Sequence, residues 1–396
     1  MANGKWQMVN VRNQEASAAA PFSIYPFPFT IPAMMRVILL LDEGADFQAG
    51  RSAAQIARGL GDGFTTEVQR IGPGQTYFNA VDAVLRLRRI SRDGTMIHAF
   101  GTSALTVAAM SGAQRILFTP PPEMRMSTLR WIRAAMAYRD VQVICSTSTQ
   151  RRQCVEQGVP LERCHLIRPG VDFARIQRRR NDEFRTALGF TRDDFVMLAV
   201  GESTRPADHR ATAWTASILH TLDPRYKMLL WGRGEMAGSV QQFGTALSHP
   251  QLIHCAEGRL KRPVEFEELL CATDLVLVSA SGPVATLPIS ICMASALPIA
   301  STVTPAVAEL LEDRHTAVMS PPESPRALAQ RVLELRNDAN LHWSISDMAR
   351  TEAYEYFAMT RFLNQHRTAY RQFAAGEKVE ILEQAPGAGL RFHGRG

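Results

Sequence analysis

Arg205, His209 and Arg210 crowd one short run, Val200-Gly201-Glu202-Ser203-Thr204-Arg205-Pro206-Ala207-Asp208-His209-Arg210. Guanidinium groups meet phosphate through paired N–H bonds, so the run can neutralise an anion such as a diphosphate, although a solvated loop would carry the same residues. Further along, Ser279, Ser281, Gly282 and Thr286 lead into an apolar stretch with helical composition. A helix start behind small hydroxyl residues offers free backbone N–H groups and a positive dipole end, which suit phosphate; Ser and Thr are equally ordinary N-caps. Gly232 and Gly234 permit positive φ and close backbone approach, to a ligand or to a packed helix. His98 ends an apolar run, where an imidazole either faces a ligand or holds structure together.

Several chemistries have no residues to carry them. There is no Asp-x-Asp pair for a metal-held diphosphate, no His or Cys cluster at zinc spacing, no Gly-x4-Gly-Lys phosphate loop and no Gly-x-Ser-x-Gly elbow. The run Arg178-Arg179-Arg180 lacks interleaved aromatic residues and reads as a solvated linker, so nucleic acid is not an expected partner.

The scaffold that must position these groups is α/β. Short β-rich runs alternate with helical stretches, the pattern of parallel sheets covered on both faces. Strands are predicted at 36–41, 65–70, 95–99, 115–119 and 141–145, with helices at 49–60, 78–91, 103–111 and 126–137. The theme then repeats. Strands at 195–200, 226–231, 251–255, 274–279 and 298–301 alternate with helices at 209–221, 236–246, 264–271 and 285–296, and a helical block runs from 324 to 374. Two doubly wound Rossmann-like domains are expected, 35–175 and 192–358, with a last helix at 359–374 and a flexible tail at 375–396. Residues 1–34 read as a loosely ordered extension, or as sequence upstream of the true start.

At 396 residues, 46% hydrophobic and 21% charged, the chain can build two full cores. The formal charge of +6 favours anionic partners and allows peripheral contact with an anionic membrane. Six cysteines without a Cys-x-x-Cys pair, several in apolar runs, point to buried thiols in a reducing compartment. With no signal-peptide-like leader and no long apolar span, a cytoplasmic location is expected, with the inner membrane face as an optional contact.

The stretch Leu275 to Ser301, LVLVSASGPVATLPISICMASALPIAS, resembles the donor-binding signature of the retaining family 4 glycosyltransferases of GT-B fold. Asp274 to Ser279 match the family's strand, and Met293-Ala294-Ser295-Ala296-Leu297-Pro298 match its helix end and next strand. The family's first Glu is replaced by Pro283 and its second by Ile291, which leaves the acidic motif degenerate. Ile167-Arg168-Pro169-Gly170-Val171-Asp172 resembles the crossover between the two domains.

The resemblance implies a GT-B architecture with two domains facing a cleft, and metal-independent, retaining transfer of a hexose from a UDP- or GDP-hexose to an acceptor. No cofactor is implied beyond that substrate. Donor-side residues would be Gly201, Gly232, Gly234, Ser279, Ser281, Gly282, Thr286 and Glu309; acceptor-side residues would be Gly50 and His98. Where the family has an Arg and a Lys against the leaving diphosphate, this chain has Glu202 and either Asp208 or His209, so Arg205, His209 and Arg210 become the substitutes and the catalytic candidates. A catalytically inactive binding protein of the same architecture is the alternative, and an epimerase or phosphorylase a weaker third. The acceptor and the oligomeric state are not legible in these residues.

Overall fold

A computed structural model describes residues 34–42, 44–72, 77–90, 95–246, 251–260 and 262–381. The expected N-terminal extension and most of the expected tail lie outside the described residues.

The first sheet is built from β1 (Met35–Leu41), β2 (Phe64–Arg70), β3 (Met96–Phe100), β4 (Arg115–Thr119), β5 (Asp140–Cys145) and β6 (Cys164–Leu166). It is parallel throughout, in the order β2-β1-β3-β4-β5-β6. A second parallel sheet, in the order β12-β11-β10-β7-β8-β9, comprises β7 (Phe195–Ala199), β8 (Tyr226–Leu230), β9 (Ile253–Cys255), β10 (Leu275–Val278), β11 (Ile299–Thr302) and β12 (Val318–Ser320). Helices cover both faces, so central strands carry unbroken apolar runs: Val37 to Leu41, Met228 to Leu230 and Leu275 to Val278 are all buried. β2, at a sheet edge, reads FTTEVQR and exposes part of its polar side. This is the doubly wound α/β architecture expected. The short strands β6 and β12 and the helix Ser148–Glu156 were not foreseen, and the expected helix 264–271 is one turn, Phe266–Leu269, running into a 3-10 turn.

In each sheet the strand order reverses once, between β1 and β3 in the first and between β7 and β10 in the second. Loops leaving neighbouring strands at a reversal diverge to opposite faces and leave a crevice beyond the strand ends. Register brings those ends level: Leu41 lies beside Phe100, and Ala199 beside Leu277. The crevices therefore open at Asp42 and Gly101 in one domain and at Val200 and Val278 in the other.

Beneath the second crevice, Arg185 is 1% exposed and clamps the opposite ends of the same two strands. Its guanidinium donates to the Asp194 carbonyl before β7 and to the Ala272 carbonyl and Asp274 carboxylate before β10. Asp274 also accepts from the Val196 amide at 2.7 Å.

Helices Pro325–Asn337 and Ala339–Tyr356 finish the second core, and the chain then crosses back. At the crossing the Val171 amide donates to the Phe357 carbonyl at 2.7 Å. The last helix, Met359–Ala375, buries Phe362, Leu363, Tyr370 and Phe373 against Val37, Leu39 and Phe100 of the first sheet. Gly170 sits under it, where a Cβ would come within 2.8 Å of the Phe362 Cβ.

Replacing Arg185 by Ala should remove the buried guanidinium that joins Asp274 to the Asp194 and Ala272 carbonyls, leaving the carboxylate with only the exposed Arg180 as a cation, at 3.5 Å. Loss of one partner from a buried pair costs about 3 kcal/mol, so urea unfolding followed by circular dichroism should show a drop of that order.

Candidate functional site

A cleft of about 1010 Å³ lies between the two crevices, lined by the loops that leave β1, β3, β4, β7 and β10. From the first domain come Asp42, Asp46, Gly101, Thr102, Thr119, Glu123, Arg125 and Trp131, and from the second Gly201, Glu202, Glu235, Ser279, Pro283, Val284 and Ala285.

Five helix starts meet around this cleft; four are capped by side-chain oxygens, and the fifth, that of the helix Met126–Tyr138, has no side-chain cap. Asp42, at the end of β1, accepts from Ala104 at 2.6 Å and Ser103 at 3.3 Å, closing the start of the helix Thr102–Met110. Asp46 accepts from Ala49 at 2.7 Å at the start of the helix Phe47–Gly59. Glu202 reaches the same helix from the second domain, accepting from the Phe47 amide at 2.9 Å. Gln48 crosses in the other direction. Its Oε1 accepts from the amides of Thr286 at 2.8 Å and Leu287 at 2.9 Å and from the Thr286 hydroxyl at 3.2 Å, capping the helix Thr286–Ala294. The fourth start, of the helix His209–Leu222, is capped by Asp208. Burial pushes the carboxyl groups of Asp42, Asp46 and Glu202 above their ordinary range, against the opposing pull of the backbone N–H groups they accept from.

Several sequence expectations are corrected by this geometry. Thr286 does begin a helix, but the oxygen on its N–H groups is that of Gln48. Arg205 and Arg210 are exposed and are not among the cleft-lining residues, and Arg210 donates instead to the Ser239 hydroxyl. Pro206 and Ala207 turn inward, packing toward Gly282 and the loop around Ser281, and this turns the flanking arginines out. His209 is 2% exposed, donates to the Val200 carbonyl through Nε2 and accepts the Ser203 hydroxyl on Nδ1. Burial brings its pKa down to about 4, so it is a neutral brace under the Gly201 turn and no phosphate-binding cation.

His98 is fully buried, bonded to the Tyr370 hydroxyl at 2.6 Å and the Thr119 hydroxyl at 2.8 Å, and it ties the last helix to the first sheet without lining the cleft. Gly50 lies inside the helix Phe47–Gly59, away from the lining. Gly232 and Gly234 also stay outside it. A Cβ at Gly232 would come within 2.6 Å of the Cys255 sulfur, and one at Gly234 within 2.5 Å of the Ser203 carbonyl oxygen, so both glycines serve close packing at positive φ. Glu309 accepts from the Ser148 and Thr149 amides and the Thr149 hydroxyl, capping a first-domain helix across the seam.

Of the expected residues, Gly201 and Ser279 line the cleft. Gly201 turns at φ +80 and Ser279 is buried, its hydroxyl shared with Thr212 and the carbonyls of Ala207 and Asp208. Ser281 and Gly282 pack on Pro206 at the outer side of the loop. Among the described residues, the amides of Gly201, Val284 and Ala285 donate to no protein group, and they remain open donors on the second-domain wall. Asp42, Asp46, Gln48, Arg125 and Trp131 carry no motif and escaped the sequence reading. Only the Asp-x-x-Ala spacing at 46–49, an N-cap pattern, pointed to one of them.

All six cysteines are free thiols, and no group of His, Cys, Asp and Glu among the described residues could hold a metal ion. No described helix is long and apolar enough to cross a membrane.

Residues 194–338 match the model of the family described as glycosyl transferases group 1. No curated protein matches the chain by sequence. Among solved structures, HepE of Anabaena in complex with UDP-glucose is similar with a TM-score of 0.70 at 18% identity, over 86% of this chain and 100% of that one. Sucrose-phosphate synthase from Thermosynechococcus elongatus gives 0.69 at 15% identity, over 86% and 100%. A glycosyltransferase from Rickettsia africae gives 0.68 at 14%, over 85% and 98%. At such identities the likeness is one of fold, and the fold is GT-B.

Two measurements follow from this geometry. Gln48→Ala strips a buried helix start of its acceptor and should lower the unfolding free energy by about 1 kcal/mol, as loss of an N-cap does. His209 has a folded pKa below the unfolded value of 6.5, so its contribution is complete above pH 6.5 and is lost as pH falls toward about 4. His209→Gln should therefore flatten the fall of stability across that window, read by urea unfolding at a series of pH values.

Proposed function

We propose that the protein is a glycosyltransferase that moves a hexose from a UDP- or GDP-hexose to an acceptor, with retention and without a metal ion. The donor sits on the second domain and the acceptor on the first. The observation that carries this reading is the cleft itself, which joins the switch points of two parallel sheets and keeps open amides at Gly201, Val284 and Ala285 on the side where the family model matches. HepE, of the same fold, has been solved with UDP-glucose, which supports a nucleotide-sugar as the ligand class.

In this reading the diphosphate takes N–H bonds from the open amides, as anions do at turns and helix starts. The hexose hydroxyls donate to carboxylates. The resembled family places those on the second domain, where this chain has Pro283 and Ile291, and here Asp46, Glu202 and Glu235 present them from other loops of the same cleft. Front-side attack lets the departing phosphate oxygen take the acceptor proton, so no strong protein base is needed.

A second reading, a binding protein without transfer, is favoured by one observation: Gln48 already satisfies the helix start that a phosphate would seek. Calorimetry with UDP and GDP, followed by assays of hexose release from UDP- and GDP-hexoses, separates the two. Transfer or donor hydrolysis that survives EDTA supports the enzyme, binding with neither supports the second reading, and no affinity for either nucleotide refutes the transferase. Gly201→Ala forces a Cβ into positive φ and to 3.3 Å from Pro288. Strain of 1–2 kcal/mol should weaken nucleotide binding about tenfold.

A further inference from the structure

We propose that Arg125, from the first domain, supplies the positive charge that the leaving diphosphate requires. The inference rests on the transferase reading above and adds a residue that no motif assigns. In the transfer step the bond from the hexose anomeric carbon to the diphosphate oxygen breaks, and its electron pair stays on that oxygen. The acceptor oxygen bonds the same carbon, and its proton passes to the departing phosphate. Charge accumulates on the leaving group, and a positioned cation in a partly desolvated cleft lowers the barrier.

The cleft offers one such cation among its described lining residues. Asp42, Asp46, Glu123, Glu202 and Glu235 are its acids; Arg125 is the single Lys, Arg or His. The arginines along the interdomain seam are committed elsewhere: Arg51 and Arg175 to Glu265 and Glu267, Arg168 to Glu309, and Arg233 to Glu257 over the face of Trp231. Arg125 is an exposed residue at the cleft lining and its guanidinium pairs with no acid among the described residues, so its charge is available to a ligand.

Its placement suits the donor. The loop from β4 begins Pro120-Pro121-Pro122, whose fixed φ values stiffen it, and Pro122 shares a small recess with Pro283 and Val284 of the second domain. Arg125 follows as the N-cap residue of the helix Met126–Tyr138, with no side-chain bond to the helix it starts. A first-domain arm therefore reaches the second-domain wall where the open amides lie. The cation that the resembled family draws from the second domain is delivered here from the opposite side of the cleft, so that the leaving group is neutralised only when the two domains are together.

The test compares Arg125→Ala, Arg125→Lys and Arg125→Glu with the wild type, in UDP and GDP calorimetry at several salt concentrations and in steady-state transfer or donor hydrolysis. Arg205→Ala, outside the cleft lining, serves as the control, and circular dichroism checks the fold. Arg125→Ala should lower kcat about a hundredfold. It should also weaken nucleotide binding and flatten its salt dependence, with Arg125→Lys intermediate, Arg125→Glu lowest and Arg205→Ala unchanged. If the wild type binds or turns over nucleotide and Arg125→Ala does so equally, with the same salt dependence, this inference falls and the transferase reading stands. If the wild type neither binds nor turns over any of these nucleotides, both fall together.

Discussion

The first N–H groups of an α-helix have no partner within the helix and must find an oxygen elsewhere. In this protein five helices begin around one cleft, four of them capped by side-chain oxygens, and the way the needs of those four are met organises everything near it. Asp42, Asp46 and Asp208 satisfy helices of their own domain, whereas Gln48 and Glu202 each satisfy a helix of the other. The two crossing caps run in opposite directions and hold the domains face to face. An anion entering the cleft finds these N–H groups already taken, so contact between the domains uses up helix-start donors that would otherwise face a ligand.

The second consequence is electrostatic. Side-chain caps at helix starts favour carboxylates, because the dipole end is positive. A cleft made from helix starts that cap themselves therefore becomes acid-rich, and burial raises the affinity of those acids for protons. An anionic ligand must then rely on amides left over between the capped starts, and on a cation brought in from outside the capped set. This explains how the cleft holds carboxylates although the second-domain loop at Pro283 to Ala285 carries none. It also explains why the arginines after Gly201 contribute nothing there: Pro206 and Ala207 occupy the inward positions of that turn.

Interior polar groups act as bracing. Arg185 fixes the back ends of β7 and β10 while their front ends frame the second-domain crevice. His98 and His209, both of which a sequence reader would assign to a ligand, are neutral and fully bonded beneath the two walls. Each lies within a few residues of a loop that does line the cleft, which is why sequence position alone pointed to them.

Periodicity and composition by themselves determined the α/β class, the strand runs and the pairing of two doubly wound domains. Short continuous apolar runs such as Val37 to Leu41 read as strands buried on both faces, and the helical stretches between them make the connections parallel crossovers. The sequence also placed Gly201 and Ser279, because loops at the carboxyl ends of strands face ligands in this architecture. Only the tertiary structure decided which way each loop side chain turns, since that depends on partners far away in the chain: Gln48 with Thr286, Phe47 with Glu202, Glu309 with Thr149. A one-residue change of phase in an irregular loop exchanges inside for outside, and no local pattern records it. For the same reason Arg125 left no trace in the sequence, as its role arises from a proline-stiffened loop meeting a wall that begins some hundred and sixty residues later.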